Sequence, residues 1–147
     1  MADVVDPLVG FNFRLEVEKV PAGFFTEVSG LGSENDVVEQ KTLDPAGHEV
    51  VIKVPGRLKW GDVVLKRGIT NDMKIWQWRQ EVIDGKMEKA RANCSIIMQD
   101  RTYADVARWD FQNAWPSKVS GPTLKSDSSE FGIEELTLVH EGIFRTS

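Results

Sequence analysis

Phe11-Asn12-Phe13-Arg14-Leu15-Glu16-Val17 alternates apolar and polar side chains without a break. A period of two places Phe11, Phe13, Leu15 and Val17 on one face of an extended strand. Asn12, Arg14 and Glu16 fall on the other, so one face is buried and one is wet. The same pattern predicts strands over Val37 to Leu43 and Glu49 to Val54. Between them lies Asp44-Pro45-Ala46-Gly47, with Asp, Pro and Gly at the positions a type I turn favours. The expected product is a long β-hairpin. Val37, Val38, Val50, Val51 and Ile52 put apolar groups on both of its faces. A lone hairpin is marginal in water, so another surface must cover those groups.

Further along, Asp62 to Arg67 reads as a strand that Gly68 ends, and Thr70 or Asn71 can cap a helix. From Asp72 to Asp84, the apolar residues Ile75, Trp76, Trp78, Val82 and Ile83 recur at helical spacing. Lys74, Gln77, Gln80, Glu81 and Asp84 take the opposite face. Gly85 is placed to end the helix in the left-handed conformation. Strands follow at Cys94 to Gln99, Ala107 to Ala114 and Ile133 to Val139, and Pro116 to Ser129 reads as a surface loop. About seven strands and one flanking helix predict a mainly β fold, a β-sandwich or barrel with a projecting hairpin. No linker divides residues 1–147, so one domain is expected.

Composition narrows the chemistry. The chain is 41% hydrophobic and 28% charged, a globular balance that excludes a disordered tail or a coiled coil. Its single cysteine, Cys94, excludes an internal disulfide and a cysteine-based zinc site. No metal or cofactor is expected, because His48 and His140 lie far apart in sequence and neither has a second histidine at helical spacing. His140-Glu141 is the one pair worth weighing for a hydrolase. Adjacent strand residues point to opposite faces, so Glu141 is poorly placed to orient His140, and a structural hydrogen bond is the expected role. Lys66-Arg67-Gly68-Ile69-Thr70 joins a strand to a helix but has too little glycine for a phosphate cradle. Trp60 and Trp115 are candidate interface anchors, or stacking platforms in a carbohydrate- or peptide-binding sandwich. The N-terminus lacks the basic segment of a secretory signal, and no apolar run is long enough for a membrane helix.

Charge is segregated along the chain. Residues 1–52 carry a net −7, residues 53–91 a net +5 and residues 92–147 a net −3, within an overall −5. An acidic total argues against sequence-specific nucleic-acid recognition and suits contact between copies of the chain.

Several blocks together resemble one family. They are Phe25-Thr26-Glu27-Val28-Ser29-Gly30-Leu31, Pro55-Gly56, Val64-Leu65-Lys66-Arg67-Gly68-Ile69-Thr70 with Trp76, Trp109-Asp110-Phe111-Gln112-Asn113-Ala114-Trp115-Pro116, and Glu134-Glu135-Leu136-Thr137-Leu138-Val139-His140-Glu141-Gly142. Their order and their spread over nearly the whole chain resemble the tail-tube proteins of contractile phages and of related contractile injection particles. The chain stops shortly after Gly142, so the appended cell-wall-binding segment of some tube-initiator relatives is not expected.

The resemblance implies a non-enzymatic tube subunit that assembles in the bacterial cytoplasm. Six copies would form a ring and rings would stack into a hollow tube. A contractile sheath would surround it, baseplate and tube-initiator proteins would join it, and the lumen would have room for cargo. Placed on this sequence, the ring interface is expected at Val37, Val38, Lys41, Asp44, His48, Glu49 and Val51. The sheath is expected to meet Lys74, Gln77, Glu81 and Asp84. Glu39, Lys53, Ser95 and Gln99 are the lumen candidates. A type VI secretion tube or tube-initiator protein is the alternative within the same architecture.

Overall fold

The structure, a computed structural model, describes residues 11–122 and 132–147. In chain order the elements are β1 (Asn12–Val17), β2 (Val20–Phe25), β3 (Glu27–Ser29), β4 (Ser33–Leu43), β5 (Glu49–Trp60), β6 (Val63–Gly68), α1 (Lys74–Ile83), α2 (Met87–Ala90), β7 (Ala92–Gln99), β8 (Asp105–Ser120), β9 (Ile133–Val139) and β10 (Gly142–Arg145). β1 turns into β2 through Glu18 and Lys19, both at positive φ (52° and 66°). Two successive left-handed residues match the natural twist of a tight hairpin. On its other edge β1 pairs with β7, Leu15 opposite Ile96 and Val17 opposite Cys94.

The strands run β2-β1-β7-β8-β9-β6-β3, with β10 also beside β8. Two corners fold this path into a barrel-like sandwich. At the first, residues 105–114 of β8 pair with β7, and residues 115–120 pair with β9. Asn113 lies at φ 49° and the register slips between Pro116 and Lys118. Such a bulge bends a strand and is where a sheet tolerates proline. The strand therefore continues to Ser120, where the sequence reading put a loop from Pro116. Residues 123–129 of that loop lie outside the described residues. The second corner is Thr26, between β2 and β3, the two ends of the path. Its amide donates to the Lys66 carbonyl at 2.9 Å.

The inner faces meet in one core of Leu15, Phe25, Val63, Leu65, Ile96, Phe111, Leu136 and Leu138, joined by Ile75 and Trp78 of α1. The helix covers β8 and the end of β2. Before it, the Thr70 hydroxyl accepts from the Asp72 amide at 2.8 Å, and Asp72 Oδ1 accepts from the Lys74 amide at 3.0 Å. The helix starts two residues later than its periodicity suggests, because Asp72 serves that turn. It ends as expected at Gly85, φ 79°, whose amide bonds the Val82 carbonyl while the Lys86 amide bonds that of Glu81. These two bonds form a Schellman cap. Ile83, expected on the apolar face, is 60% exposed.

The hairpin β4–β5 stands off this body as its own two-stranded sheet. It spans residues 33–60, longer at its base than the expected 37–54.

Candidate assembly surface

Pairing register sorts the hairpin side chains into two faces. Val38 lies opposite Val54, Gln40 opposite Ile52 and Thr42 opposite Val50. Alternation puts these six on one face, which is mostly aliphatic. Val37 lies opposite Pro55, Glu39 opposite Lys53, Lys41 opposite Val51 and Leu43 opposite Glu49. That second face mixes charges with aliphatic groups. Every residue of β4 is exposed, and Val37, Val38, Leu43, Val51, Ile52 and Leu58 are among the exposed large hydrophobic residues of the described chain. Such a continuous apolar surface on a projecting arm marks a contact site. Leu43 and Leu58 were missed from sequence. Leu43 ends its predicted strand, and Leu58 lies beyond Pro55-Gly56, where the strand was expected to have stopped.

The register also sorts the residues named from sequence onto the two faces. Glu39 and Lys53, named for the lumen, share the second face with Val37, Lys41, Glu49 and Val51, named for the ring interface. At the tip, Asp44 Oδ1 accepts from the His48 amide at 2.8 Å, and Asp44 Oδ2 lies 3.4 Å from His48 Nδ1. Lys41 lies 3.8 Å from Glu49, and Lys59 lies 2.9 Å from Asp36. Lys59 of β5 joins the acidic arm to the basic one through Asp36 of β4, while Lys41 and Glu49 pair with the signs reversed. Part of the charge separation read along the sequence is neutralised within the hairpin itself.

The helix residues named for the sheath lie on an open face: Lys74, Gln77 and Asp84 are exposed and Glu81 is half-buried. Several already have partners. Lys74 Nζ donates to the Pro21 carbonyl at 3.2 Å, Gln80 bonds Asp84 at 2.9 Å and Glu81 lies 3.4 Å from Lys89. Between this face and the β1–β2 turn runs a cleft of about 300 Å³, floored by Val17, Ala22 and Trp78.

Ser95 and Gln99 are not on an open face of the subunit, contrary to expectation. They are 9% and 3% exposed. Ser95 donates to Asp110 at 2.6 Å and accepts from Arg108 at 3.0 Å, while Gln99 donates to Asp105 at 3.0 Å. Arg14 and Arg108, opposite Ile97 on either side, lie along this face, and Ile97 is fully buried beside them. Burial pushes the Asp110 carboxyl upward, but bonds from Ser95 and Arg108 outweigh it and hold the group below its ordinary value.

His140 Nε2 lies 3.1 Å from the Gly61 carbonyl, and its ring sits 6.0 Å from Trp60 and 5.3 Å from Phe111. Glu141 instead accepts from Asn113 at 2.6 Å. Trp60 ends β5 and packs against Phe144 as well as His140, with centroids 6.2 Å apart in the first contact. It therefore anchors the hairpin base within the subunit. Trp115 lies in β8 and is half-buried. Among the described residues, no group of three His, Cys, Asp or Glu side chains is arranged to hold a metal, and no helix is long and apolar enough to cross a membrane. Burial, with Glu18 nearby, pushes the Cys94 thiol up to about 12, which leaves it a small apolar core group.

Comparison with solved structures returns the same architecture. A chain of the extracellular contractile injection system PVC sheath-tube complex in its extended state superposes with a TM-score of 0.74 at 20% identity, covering 92% of this chain and 88% of that one. A chain of the anti-feeding prophage cap, described as the tube terminating cap, gives 0.72 at 18% identity, covering 100% and 95%. Hcp1 from Flavobacterium johnsoniae gives 0.51 at 16% identity, covering 90% and 93%. At these identities the likeness establishes the fold. No curated protein sequence matches. The family described as T4-like virus tail tube protein gp19 matches residues 9–144, which hold every one of the ordered blocks, and the chain belongs to that family.

Proposed function

We propose that this chain, a structural subunit of the tube of a contractile tail or injection particle, closes as one tail-tube domain into rings of six. The rings stack into a hollow conduit that the surrounding sheath drives through a target envelope. The observation that carries this reading is the projecting hairpin with exposed aliphatic groups on both faces. A subunit that stayed alone would leave those groups in water. Stacking one ring on the next is a heterologous contact, which repeats without limit and makes a filament. Charges around the hairpin tip (Lys41, Asp44, His48 and Glu49) set register more than affinity. Assembly in the cytoplasm, attachment to a baseplate and passage of cargo along the lumen complete the proposal.

Deleting residues 42–48 and closing the gap with a two-residue turn tests it. The variant is expected to fold, because the tip packs on nothing outside the hairpin, and to form no tubes by negative-stain microscopy. Tubes of normal length from this variant would place assembly elsewhere.

We assign the sheath contact to the exposed face of α1. The paired variant Lys74→Glu and Glu81→Lys is expected to form bare tubes normally and to reduce sheath recruitment several-fold in cosedimentation. Each exposed contact contributes less than about 1 kcal/mol, so both changes are needed together. Unchanged sheath binding would move the contact off this helix.

A further inference from the structure

The hairpin joins the barrel through a glycine-rich joint, where Leu31 and Trp60 are the side chains that reach the core. Its strands pack almost wholly on each other. One arm leaves through Gly30 and Gly32 and the other returns through Gly61. Gly30 lies at φ 86°, and a Cβ there would strike the Asp62 carbonyl. The Gly32 amide bonds the Gly30 carbonyl at 2.9 Å, and the Gly61 amide bonds the Gly32 carbonyl at 3.4 Å. A cleft of about 390 Å³, lined by Gly30, Leu31, Gly32, Ser33, Glu34 and Gly61, opens beside the joint. Such a joint leaves the arm free to change direction unless a side chain holds it.

Leu31 holds the leaving arm against the core, and two side chains from opposite sides hold the returning one. Trp60, the last residue of the arm, stacks edge-on to Phe144 of β10. His140, just past β9, sits beside both Trp60 and Phe111 with Nε2 on the Gly61 carbonyl. A carbonyl only accepts, so Nε2 carries the proton. Nδ1 is buried and makes no hydrogen bond among the described residues.

We propose that His140 is the positioning residue of the hairpin: its neutral ring, bonded to Gly61 and packed on Trp60 and Phe111, fixes the direction in which the arm leaves the barrel. This rests on the reading of the hairpin as the assembly arm. A second proton would go to Nδ1, which is buried and makes no hydrogen bond in the clamped ring. Burial accordingly holds the His140 imidazole below its ordinary value of 6.5, with the Gly61 and Gly142 backbone and the Asp62 carboxylate pulling the other way. Asp62 is the carboxylate facing the ring from the β5–β6 link. Glu141 on its own turn is bonded to Asn113, Lys59 of β5 to Asp36, and Asp110 of β8 to Ser95 and Arg108. The clamped form resists a proton that the free ring accepts. The clamp is therefore fully held above pH 6.5 and weakens as pH falls below it.

Hydrogen exchange on the unassembled subunit tests this, read as protection factors at the Gly32 and Gly61 amides between pH 8 and 5.5. His48→Gln is included throughout to remove the tip histidine. The parent is expected to lose protection at the joint severalfold as pH falls, with the core strands unchanged. His140→Ala is expected to show the lowered protection at every pH and to need about tenfold more protein to form tubes at pH 8. His140→Gln keeps a donor for Gly61 and does not titrate, so its protection is expected to be flat with pH. Wild-type protection in His140→Ala would overturn the proposal. If that variant misfolds, a pH profile in His140→Gln that still follows the parent's would overturn it. Altered exchange with unaltered tube formation would leave the clamp standing and refute the hairpin as the assembly arm, which the tip deletion tests separately.

Discussion

Arg67→Ala is expected to lose roughly 3–5 kcal/mol of folding stability, the usual effect of removing one partner of a buried ion pair. Arg67 and Glu134 lie directly opposite each other on β6 and β9, and both side chains are 4% exposed. Arg67 Nε donates to Glu134 Oε2 at 3.0 Å and Nη2 to the Asp72 carbonyl at 3.1 Å, and the guanidinium lies 5.2 Å from the centre of the Phe25 ring. Glu134 Oε1 also accepts from Trp76 Nε1 at 3.0 Å. One ion pair thus ties two strands to the approach and body of α1 and to the end of β2. Alanine leaves the Glu134 carboxylate buried with a single donor. In a chain of this length the melting temperature is expected to fall by on the order of 10 °C. Arg67→Lys keeps the charge but not the fork that reaches Asp72 and Glu134 together, so it should fall between. A double change, Arg67→Met with Glu134→Leu, should cost less than Arg67→Ala, because it leaves no buried charge without a partner. A melting curve for Arg67→Ala within 2 °C of wild type, roughly the effect of a loss under 1 kcal/mol, would show that the pair contributes little.

The same pair explains one limit of the sequence reading. Alternation puts Arg67 on the face of Val63 and Leu65, and Glu134 on that of Leu136 and Leu138, yet their charge reads as wet. They are tolerated there because they bond each other and are met by the Trp76 indole and the Phe25 ring, partners from other elements that a strand pattern does not report. Ser95 and Gln99 mislead for a related reason: long arginine side chains from neighbouring strands lie along their face. β2 escaped notice because Pro21 and Gly23 read as breakers. Within the described sheet β2 pairs only with β1, an edge where proline costs no ladder bond. Gly23 is needed because a Cβ there would come within 2.6 Å of Arg67 Nη1. By contrast, β1, the helix end at Gly85 and the Asp44-Pro45-Ala46-Gly47 turn were legible because their signals are local. The projection of the hairpin was legible for a different reason. Its apolar groups could not all be buried within a two-stranded unit, so they pointed to a cover outside it. Which face that cover takes was not legible, since it depends on pairing register.

Register supplies that distinction, and with it the last expected result. Val38 and Ile52 lie on the mostly aliphatic face with Val50 and Val54, and they are 44% and 42% exposed. Val38→Asp with Ile52→Asp is expected to leave the isolated subunit folded, since neither side chain reaches the barrel core. Substitutions at such exposed sites usually change stability by about 0.5 kcal/mol or less. In the assembled tube the same change would place two carboxylates against an apolar neighbour. Lost burial of about 1 kcal/mol per side chain, together with the cost of desolvating a charge, amounts to roughly 3 kcal/mol per subunit. The concentration at which tubes appear should rise about 100-fold, because each 1.4 kcal/mol is tenfold. Val37→Asp with Val51→Asp is the matched control on the mixed face, where Glu39, Lys41, Lys53 and Glu49 already keep water nearby. It is expected to raise that concentration less than tenfold. Equal effects from the two pairs would mean that both faces are covered in the tube. A larger effect from the control would mean that the mixed face is the one a neighbouring subunit buries, with the aliphatic face turned elsewhere.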